Sequence, residues 1–370
     1  MKKLILVFIL GFVSLANFAQ TTNDVLELLI KNKTITQEQA DSVRAEAAIK
    51  QQNVDANKKS FSVSSSRLMQ LSGFTQVRYQ FQQTHGQIDG FDLRRVRLDV
   101  RGDVSPYFSY FFQSDFVGTP KLIDAYADVK ISDYLNFTIG QAKVPFSYEN
   151  LISDNKMEWV DRSQVVEALV GRGTDVIGNQ NGRDIGLQIG GSFLKIKSRY
   201  LFDYKIGVFN GTGINGTDKN DNKDVAGRLI AHPVKGLDFG GSFYSGTGYY
   251  GTPTAANHCR NRFGFELNYT FNRFFVRGEF IEGKDGLIIR NGWYAETGYY
   301  LIPSRLQLVL KVDAYDPNTS VSKNVITNYL IGGSYQFNNW SRIAAGFTIK
   351  REEGPELKNN FATIQYQISF

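Results

Sequence analysis

The chain has 370 residues, a formal net charge of +6, three histidines and one cysteine, together with 28 phenylalanines and 19 tyrosines. Because the positive charge is small, it gives no argument for nucleic-acid binding, and we expect no nucleic-acid partner. So few histidines and cysteines argue against a metal site built from these residues. A single cysteine also excludes a disulfide within the chain.

The chain begins with a segment typical of a signal peptide. Two lysines precede an apolar run from Leu4 to Leu15, and Ala19 occupies the position expected before a cleavage site. We therefore expect residues 1–19 to be removed on export. The apolar run is too short to cross a membrane as a helix, and no later apolar stretch reaches about 18 residues, so a helical membrane protein is excluded.

A short helical segment is predicted ahead of the main domain. Thr36 and the three residues after it fit a capping box, and Ala40, Val43 and Ala47 then recur at helical spacing. A shorter amphipathic turn precedes them, and a polar linker follows. Residues 20–66 are thus predicted to form a pair of short helices and a linker, located in the periplasm.

From residue 67 onward, apolar and polar residues alternate with a period of two, which is typical of strands with two different faces. Sixteen candidate strands follow at intervals of about 19 residues, which matches one membrane crossing plus a turn. Their centres lie near Val77, Leu98, Phe111, Tyr126, Phe137, Leu187, Tyr204, Arg228, Gly241, Phe265, Val276, Ala295, Leu310, Leu330, Gly346 and Ile364. The pattern predicts an all-β fold in which residues 67–370 form a 16-stranded antiparallel transmembrane β-barrel.

The connections and the apolar faces both favour a membrane barrel. Tight turns such as Ser105-Pro106 and Ser132-Asp133 alternate with longer polar connections, as in outer-membrane barrels. Through residues 306–314, apolar residues such as Leu308 and Leu310 alternate with polar ones, and aromatic residues lie near the ends of many strands. One face is therefore predicted to contact outer-membrane lipid and the other a wet lumen.

The strand with the strictest alternation spans residues 91–104. One face carries Val96, Leu98 and Val100, and the other carries Arg95, Arg97, Asp99 and Arg101. Taken alone, this strand is equally typical of the wet outer face of a soluble sandwich. The other strands decide between the two interpretations, and we expect these arginines to face the lumen.

One connection is far longer than the rest. It runs from Lys143 to Gly182, and a compact domain seldom leaves so long a segment without structure. Residues 157–169 within it can hold a short helix. We expect this connection, the third long one, to fold into the barrel and narrow it, with a flap on the outer surface as the alternative.

Motifs for other functions fail on inspection. Gly211, Gly213 and Gly216 match the spacing of a dinucleotide-binding turn, but no helix follows them. The acidic segment 218–229 lacks the glycine and the final acid of an EF-hand, which leaves only loose ion binding open. Neither a nucleophile motif nor a patterned Ser/His pair is present. We therefore predict no enzyme activity, no cofactor and no metal site.

The residues resemble the phosphate-selective porin O and P family of outer-membrane channels. The likeness covers residues 71–370 and is most specific between residues 91 and 191. It is carried by these segments: Arg94 to Leu98 with Gly102, the aromatic strand Tyr107 to Phe116, Gly140 to Phe146, Glu158 to Ser163, and Arg183 to Gln188 with Gly190. The pair of helices ahead of the barrel looks like that found in members from Bacteroidota.

The resemblance implies sixteen strands, a homotrimer, an inward third loop and a lumen whose arginines guide anions. Arg95, Arg97 and Arg101 match the arginine strand of the family, while Arg162 and Arg183 match its loop and strand motifs. Asp99, Asp124 and Asp128 depart from the pattern by interrupting the positive wall, and the family's three-lysine cluster is not recognisable here. This departure weakens the expectation of phosphate specificity more than that of channel function.

The sequence thus predicts a porin of the bacterial outer membrane through which small hydrophilic solutes diffuse passively, with a preference for small anions such as phosphate. Guanidinium groups suit oxyanions because they offer paired donors. The predicted anion-guiding residues are Arg78, Arg95, Arg97, Arg101, Arg162, Arg183 and Arg199. The alternative is a non-conducting surface protein, an adhesin or scaffold, whose barrel is plugged by the third loop.

Overall fold

The computed structural model describes residues 67–84 and 87–370, together with Asn32 and Thr36. The predicted signal peptide lies outside the described residues. The predicted helical pair and linker also lie outside them, apart from those two isolated positions.

The described residues form sixteen strands and two short helices. The strands are β1 (Gln70–Gln82), β2 (Gly90–Ser105), β3 (Phe108–Asp115), β4 (Lys121–Ser132), β5 (Leu135–Lys143), β6 (Arg183–Ile196), β7 (Arg199–Phe209), β8 (Asp224–Val234), β9 (Leu237–Tyr250), β10 (Ala256–Phe271), β11 (Phe274–Asp285), β12 (Ile288–Ile302), β13 (Leu306–Asp316), β14 (Ile326–Asn338), β15 (Ser341–Glu352) and β16 (Phe361–Ser369). The helices are α1 (Tyr148–Leu151) and α2 (Gln164–Leu169), both between β5 and β6. Among the residues that the structure describes, no helix is long and apolar enough to cross a membrane.

Each strand pairs antiparallel with its neighbours in the sequence, and β1 pairs with β16 to close the barrel. At this seam the backbone amides of Gly73 and Phe370 each donate to the carbonyl of the other at 2.9 Å. Closure leaves no unpaired sheet edge. The predicted 16-stranded antiparallel barrel is confirmed, and every predicted strand centre falls within the corresponding strand.

The two faces of the strands differ as the alternation predicts. On β13, Leu308 and Leu310 point outward and are 49% and 51% exposed, whereas Gln307 and Lys311 point inward and are 2% and 4% exposed. Because successive side chains of a strand point to opposite faces, one apolar and one polar surface result. The barrel therefore has an apolar outside and an inside on which polar and charged side chains predominate.

The two ends of the barrel also differ. At one end, called here the turn side, neighbouring strands are joined by very short connections, as between Ser105 and Phe108. At the other end, called the loop side, most connections are longer and one spans residues 144–182. The exception on the loop side is the tight turn from β11 to β12, where Gly286 has a φ of 61° that favours glycine.

Candidate functional site

The connection from β5 to β6, residues 144–182, is called here the third loop, and it lies inside the barrel. Val165, Val166 and Leu169 of α2 are buried in one apolar cluster with Ile281 of β11 and Tyr294 of β12. Since β11 and β12 lie across the barrel from β5, the loop crosses the lumen. The inward fold and the short helix predicted within residues 157–169 are both confirmed.

Hydrogen bonds and ion pairs hold the loop to the far wall. Lys311 Nζ of β13 donates to Glu149 Oε1 at 2.6 Å, and Ser147 Oγ donates to Glu279 of β11 at 2.7 Å. Burial alone would raise the pKa of the Glu149 carboxyl, but Lys311 and Arg162 reverse that effect and lower it below its usual value. Glu149 is therefore a charged anchor of the loop.

An indole ring anchors the loop on the next part of the wall. The ring of Trp159 lies against Gly332 of β14 and Gly346 of β15, and a Cβ at either glycine would collide with it. Nearby, Arg342 of β15 donates to the Met157 carbonyl at 2.9 Å. Two facing glycines thus form the seat for one large loop side chain.

One loop carboxylate gathers three arginines. Asp154 lies 2.5 Å from Arg97 Nη1, 2.7 Å from Arg162 Nη2 and 3.3 Å from Arg95 Nη2. Burial would raise the pKa of Asp154, yet Arg95, Arg162 and Arg97 lower it well below its usual value. We call Arg95, Arg97 and Arg162 the arginine cluster; the structure brings these three predicted residues together around the third loop.

The cluster continues along the wall into strands β3, β4 and β6. Arg97 Nε donates to Asp115 of β3 at 3.1 Å, and Arg183 of β6 donates to both carboxylate oxygens of Asp124 at 3.0 and 2.7 Å. Gln113 Oε1 lies between them and accepts from Arg97 at 3.3 Å and from Arg183 at 3.4 Å. The predicted residue Arg183 therefore belongs to the same network.

Arg78 lies at the loop-side edge of this network, close to Arg94, which was not among the predicted anion-guiding residues. Arg78 Nε donates to Asp92 at 2.9 Å, and Asp161 of the third loop lies 3.7 Å from Arg78 and 2.5 Å from Arg94. A register shift between β1 and β2 leaves Arg94 without a directly paired residue. Such a bulge re-aims a side chain that strict alternation would turn outward.

The remaining two predicted residues lie apart from the cluster. Arg101 is exposed nearer the turn side and donates from Nε to Gln70 Oε1 at 3.1 Å. Arg199, the first residue of β7, lies at the turn side and donates to the Pro233 carbonyl at 2.7 Å. Five of the seven predicted arginines thus share one network with the third loop, and these two do not.

Further basic residues in the lumen were not among the predicted anion-guiding residues. Arg260 and Arg262 of β10 both point inward, and Asp175 of the third loop lies 3.0 Å from the first and 3.8 Å from the second. Arg172 of the loop donates to Asn150 Oδ1 at 3.0 Å. Alternation along β10 was a sufficient signal for its two arginines, and Arg172 lies just beyond the segment predicted to be helical, residues 157–169.

The glycine-rich segment after β7 has a structural role on the loop side. The backbone amides of Gly211 and Gly213 donate to Asp184 at 2.8 and 3.2 Å, and the Asn215 amide donates to Gln141 at 2.7 Å. These contacts hold the β7–β8 connection beside the third loop.

In the described ranges, no group of three or more histidine, cysteine, aspartate or glutamate side chains is arranged to hold a metal ion.

Comparisons with known proteins agree with this architecture. The model of the family "Phosphate-selective porin O and P" matches residues 69–246. Similar solved structures include the trimer form of the outer membrane protein OmpT of Vibrio cholerae (TM-score 0.56, 12% identity, 82% of this chain and 99% of that chain). Others are Salmonella typhi OmpF in complex with daunomycin (0.60, 10%, 82% and 97%) and Pseudomonas putida OprB (0.61, 11%, 82% and 94%). At such low identity the likeness shows the fold alone, and no curated protein matches the chain.

Proposed function

Because the chain belongs, through residues 69–246, to the phosphate-selective porin O and P family, we propose that it is a passive channel of the bacterial outer membrane for small hydrophilic solutes. The apolar outer face suits contact with lipid, and the charged inner face suits a wet passage. Passive diffusion needs no nucleophile, metal or cofactor. We expect the chain to work as a homotrimer, with residues 20–66 in the periplasm.

A preference for small anions, phosphate among them, is the second part of the proposal. The observation that carries it is the excess of positive charge around Asp154, which faces Arg95, Arg97 and Arg162. Asp115 balances only one of the remaining charges. A cation-rich wall attracts anions and repels cations, and the effect weakens as salt screens it.

Two neighbouring cations extend this positive region. Among the described residues, Lys143 donates to the backbone carbonyls of Leu151 and Ile152 alone, at 3.1 and 2.8 Å, and Arg172 donates to Asn150 alone. Burial, followed by the nearby Arg162, lowers the pKa of the Arg172 guanidinium well below its usual value. Lys143 and Arg172 thus add two cations beside the arginine cluster.

One observation favours a second candidate, a non-conducting surface protein or scaffold. The third loop is bonded to the wall on several sides, through Gln76 of β1, Arg97 of β2, Lys311 of β13 and Arg342 of β15. A loop attached so widely can plug a barrel as well as narrow it. The channel proposal holds that a wet path remains beside the loop.

Single-channel recording of the purified full chain in planar bilayers separates these candidates. We expect discrete conductance steps in KCl, because water and ions pass beside the third loop. Heat-denatured protein from the same preparation is the control and should give none. A folded, heat-modifiable barrel that inserts without conductance steps would support the scaffold and contradict the channel.

A further inference from the structure

A recess in the lumen wall lies away from the arginine cluster. It has a volume of about 280 Å³ and is lined by residues of strands β5 to β8, among them Asn136, Ser192, Lys205 and Arg228. None of these residues belongs to the predicted set of anion-guiding arginines. The recess therefore needs an explanation of its own.

The recess lies between the third loop and the turn side. Phe209 of β7 and Ala226 of β8 pack in one apolar cluster with Val144 of the third loop. Lys205 precedes Phe209 on β7 and Arg228 follows Ala226 on β8, so both are nearer the turn side, and the register pairs them directly. Two basic side chains thus lie side by side in the lumen beneath the loop.

A glycine makes room for this arrangement. Gly190 of β6 pairs with Lys205, and a Cβ at Gly190 would lie 3.1 Å from Lys205 Cγ, 3.4 Å from Asn136 Oδ1 and 2.9 Å from the Tyr204 carbonyl oxygen. The distances to the Tyr204 carbonyl oxygen and to Lys205 Cγ are too short for ordinary packing. The missing side chain lets the Lys205 stem lie against the wall and leaves the recess open.

Three donors around the recess are uncommitted. Arg228 uses Nε and Nη2 to bind Glu266, the first at 2.9 Å, which leaves Nη1 free. Among the residues that the structure describes, Lys205 and Asn136 make no side-chain hydrogen bond, and Lys205 forms no ion pair. An ammonium, a guanidinium nitrogen and an amide without protein partners therefore line one recess of about 280 Å³.

The carboxylates near the recess already have partners. Asp203 accepts from Ser192 Oγ at 2.5 Å and lies 3.0 Å from His232 Nε2, and Asp128, which attracts Lys205 electrostatically, accepts from Thr138 Oγ1 at 2.5 Å. Their charges weaken the attraction for an anion without occupying the donors. Weak binding is what conduction requires, since a solute must leave as readily as it enters.

We propose that the recess formed by Lys205, Arg228 and Asn136 is a weak binding site for a small oxyanion such as inorganic phosphate. The proposal rests on the proposed channel function and adds a station on the turn side of the third loop. An oxyanion there receives donors from three strands, and paired donors suit tetrahedral oxygens. This site would bind the oxyanion with its own residues and without any residue of the arginine cluster.

Inorganic phosphate as a blocker of KCl current tests the site in the full chain. We expect phosphate to reduce the current, and to act at lower concentration from the turn side than from the loop side. Lys205→Gln should raise the half-blocking phosphate concentration about fivefold, because one charge-assisted hydrogen bond in a wet site is lost. Lys205→Arg should keep the block, because it keeps the positive charge and its donors.

The matched control is Lys130→Gln on β4. Lys130 is also a lysine near the turn side, but its ammonium is paired with Asp133 at 3.0 Å. Phosphate should therefore block this variant as it blocks the wild type. Sulfate that blocks with the same dependence on Lys205 would support a general oxyanion site, and its failure would support a phosphate site. An unchanged block in Lys205→Gln, or an equal loss in Lys130→Gln, would overturn the proposal.

A second variant covers the case in which Lys205→Gln does not insert. Asn136→Asp places a negative charge at the recess without changing side-chain size, and it should weaken phosphate block to a similar degree. A wild-type block in Asn136→Asp would count against the site. The reversal potential of the wild type in a salt gradient separates this proposal from the proposed function. If only the site is wrong, the potential still has the sign of anion preference. If the anion preference itself is wrong, the potential has the opposite sign.

Discussion

Changing Arg95 and Arg97 together to glutamate is expected to shift the permeability ratio toward cations by about an order of magnitude at low salt, because each replacement alters the local charge by two units. One charge at about 6 Å acts on a passing ion with roughly 0.7 to 1.4 kcal/mol at an effective dielectric of about 40 to 80. The Debye length falls from about 10 Å at 0.1 M salt to about 3 Å at 1 M, so salt screens this interaction. The shift should therefore be smaller in concentrated salt. Reversal potentials at both concentrations measure it.

The structure adds a second consequence to this double change. Arg95 and Arg97 are 9% and 3% exposed, and they hold Asp154 of the third loop. The two new carboxylates would face Asp154 and Asp115, so the loop should loosen from β2 and the conductance should rise. The barrel itself should still close, since backbone hydrogen bonds between strands join it. Heat-modifiable migration in electrophoresis checks closure.

Asp154→Asn is the matched variant of opposite sign. It removes the carboxylate that the three arginines share and leaves every arginine in place, so the permeability ratio should shift toward anions. If both variants insert and conduct with the selectivity of the wild type, the arginine cluster lies outside the permeation path. A shift of both in one direction would contradict the electrostatic explanation.

Shortening the third loop is expected to raise the conductance severalfold. Replacing residues 148–176 by a short Gly-Ser linker removes both helices, Trp159 and Asp154, which together fill the middle of the lumen. The charged wall groups that these residues now cover, such as Lys311 and Arg260, would then contact water and need no protein partner. Single-channel conductance in KCl is the measurement.

The control for the shortened loop is replacement of residues 353–360, the connection from β15 to β16, by a short Gly-Ser linker. That connection lies on the loop side and forms its ion pair locally, between Arg351 and Glu356. Its removal should leave the conductance near the wild-type value. A shortened third loop that gives the wild-type conductance would mean that the loop does not limit the passage.

The strands could be predicted from the sequence because the environment imposes their period. A barrel wall has lipid on one side and polar groups on the other, so each strand must alternate, as Leu308 and Gln307 of β13 show. Alternation also showed that Arg95 and Arg97 point inward. It could not show whether water or a loop covers them, because the same pattern results in both cases.

The partners within the lumen could not be predicted. Glu149 and Lys311 are 162 residues apart, and their contact depends on the path of the third loop across the barrel. Arg94 was missed for a different reason, since a bulge in β2 changes the direction of its side chain and leaves no signal in the alternation. Arg199 was predicted to guide anions, but it lies at the end of its strand and contacts the Pro233 carbonyl instead of the network.

The reversal potential of the purified full chain in a KCl gradient tests the central claim most directly. We expect a potential whose sign corresponds to preferential passage of chloride, with a magnitude that decreases as the mean salt concentration rises, because the charges around Asp154 are screened. Phosphate in place of chloride should keep the sign. A potential with the sign of potassium selectivity at low salt would contradict the proposed anion preference.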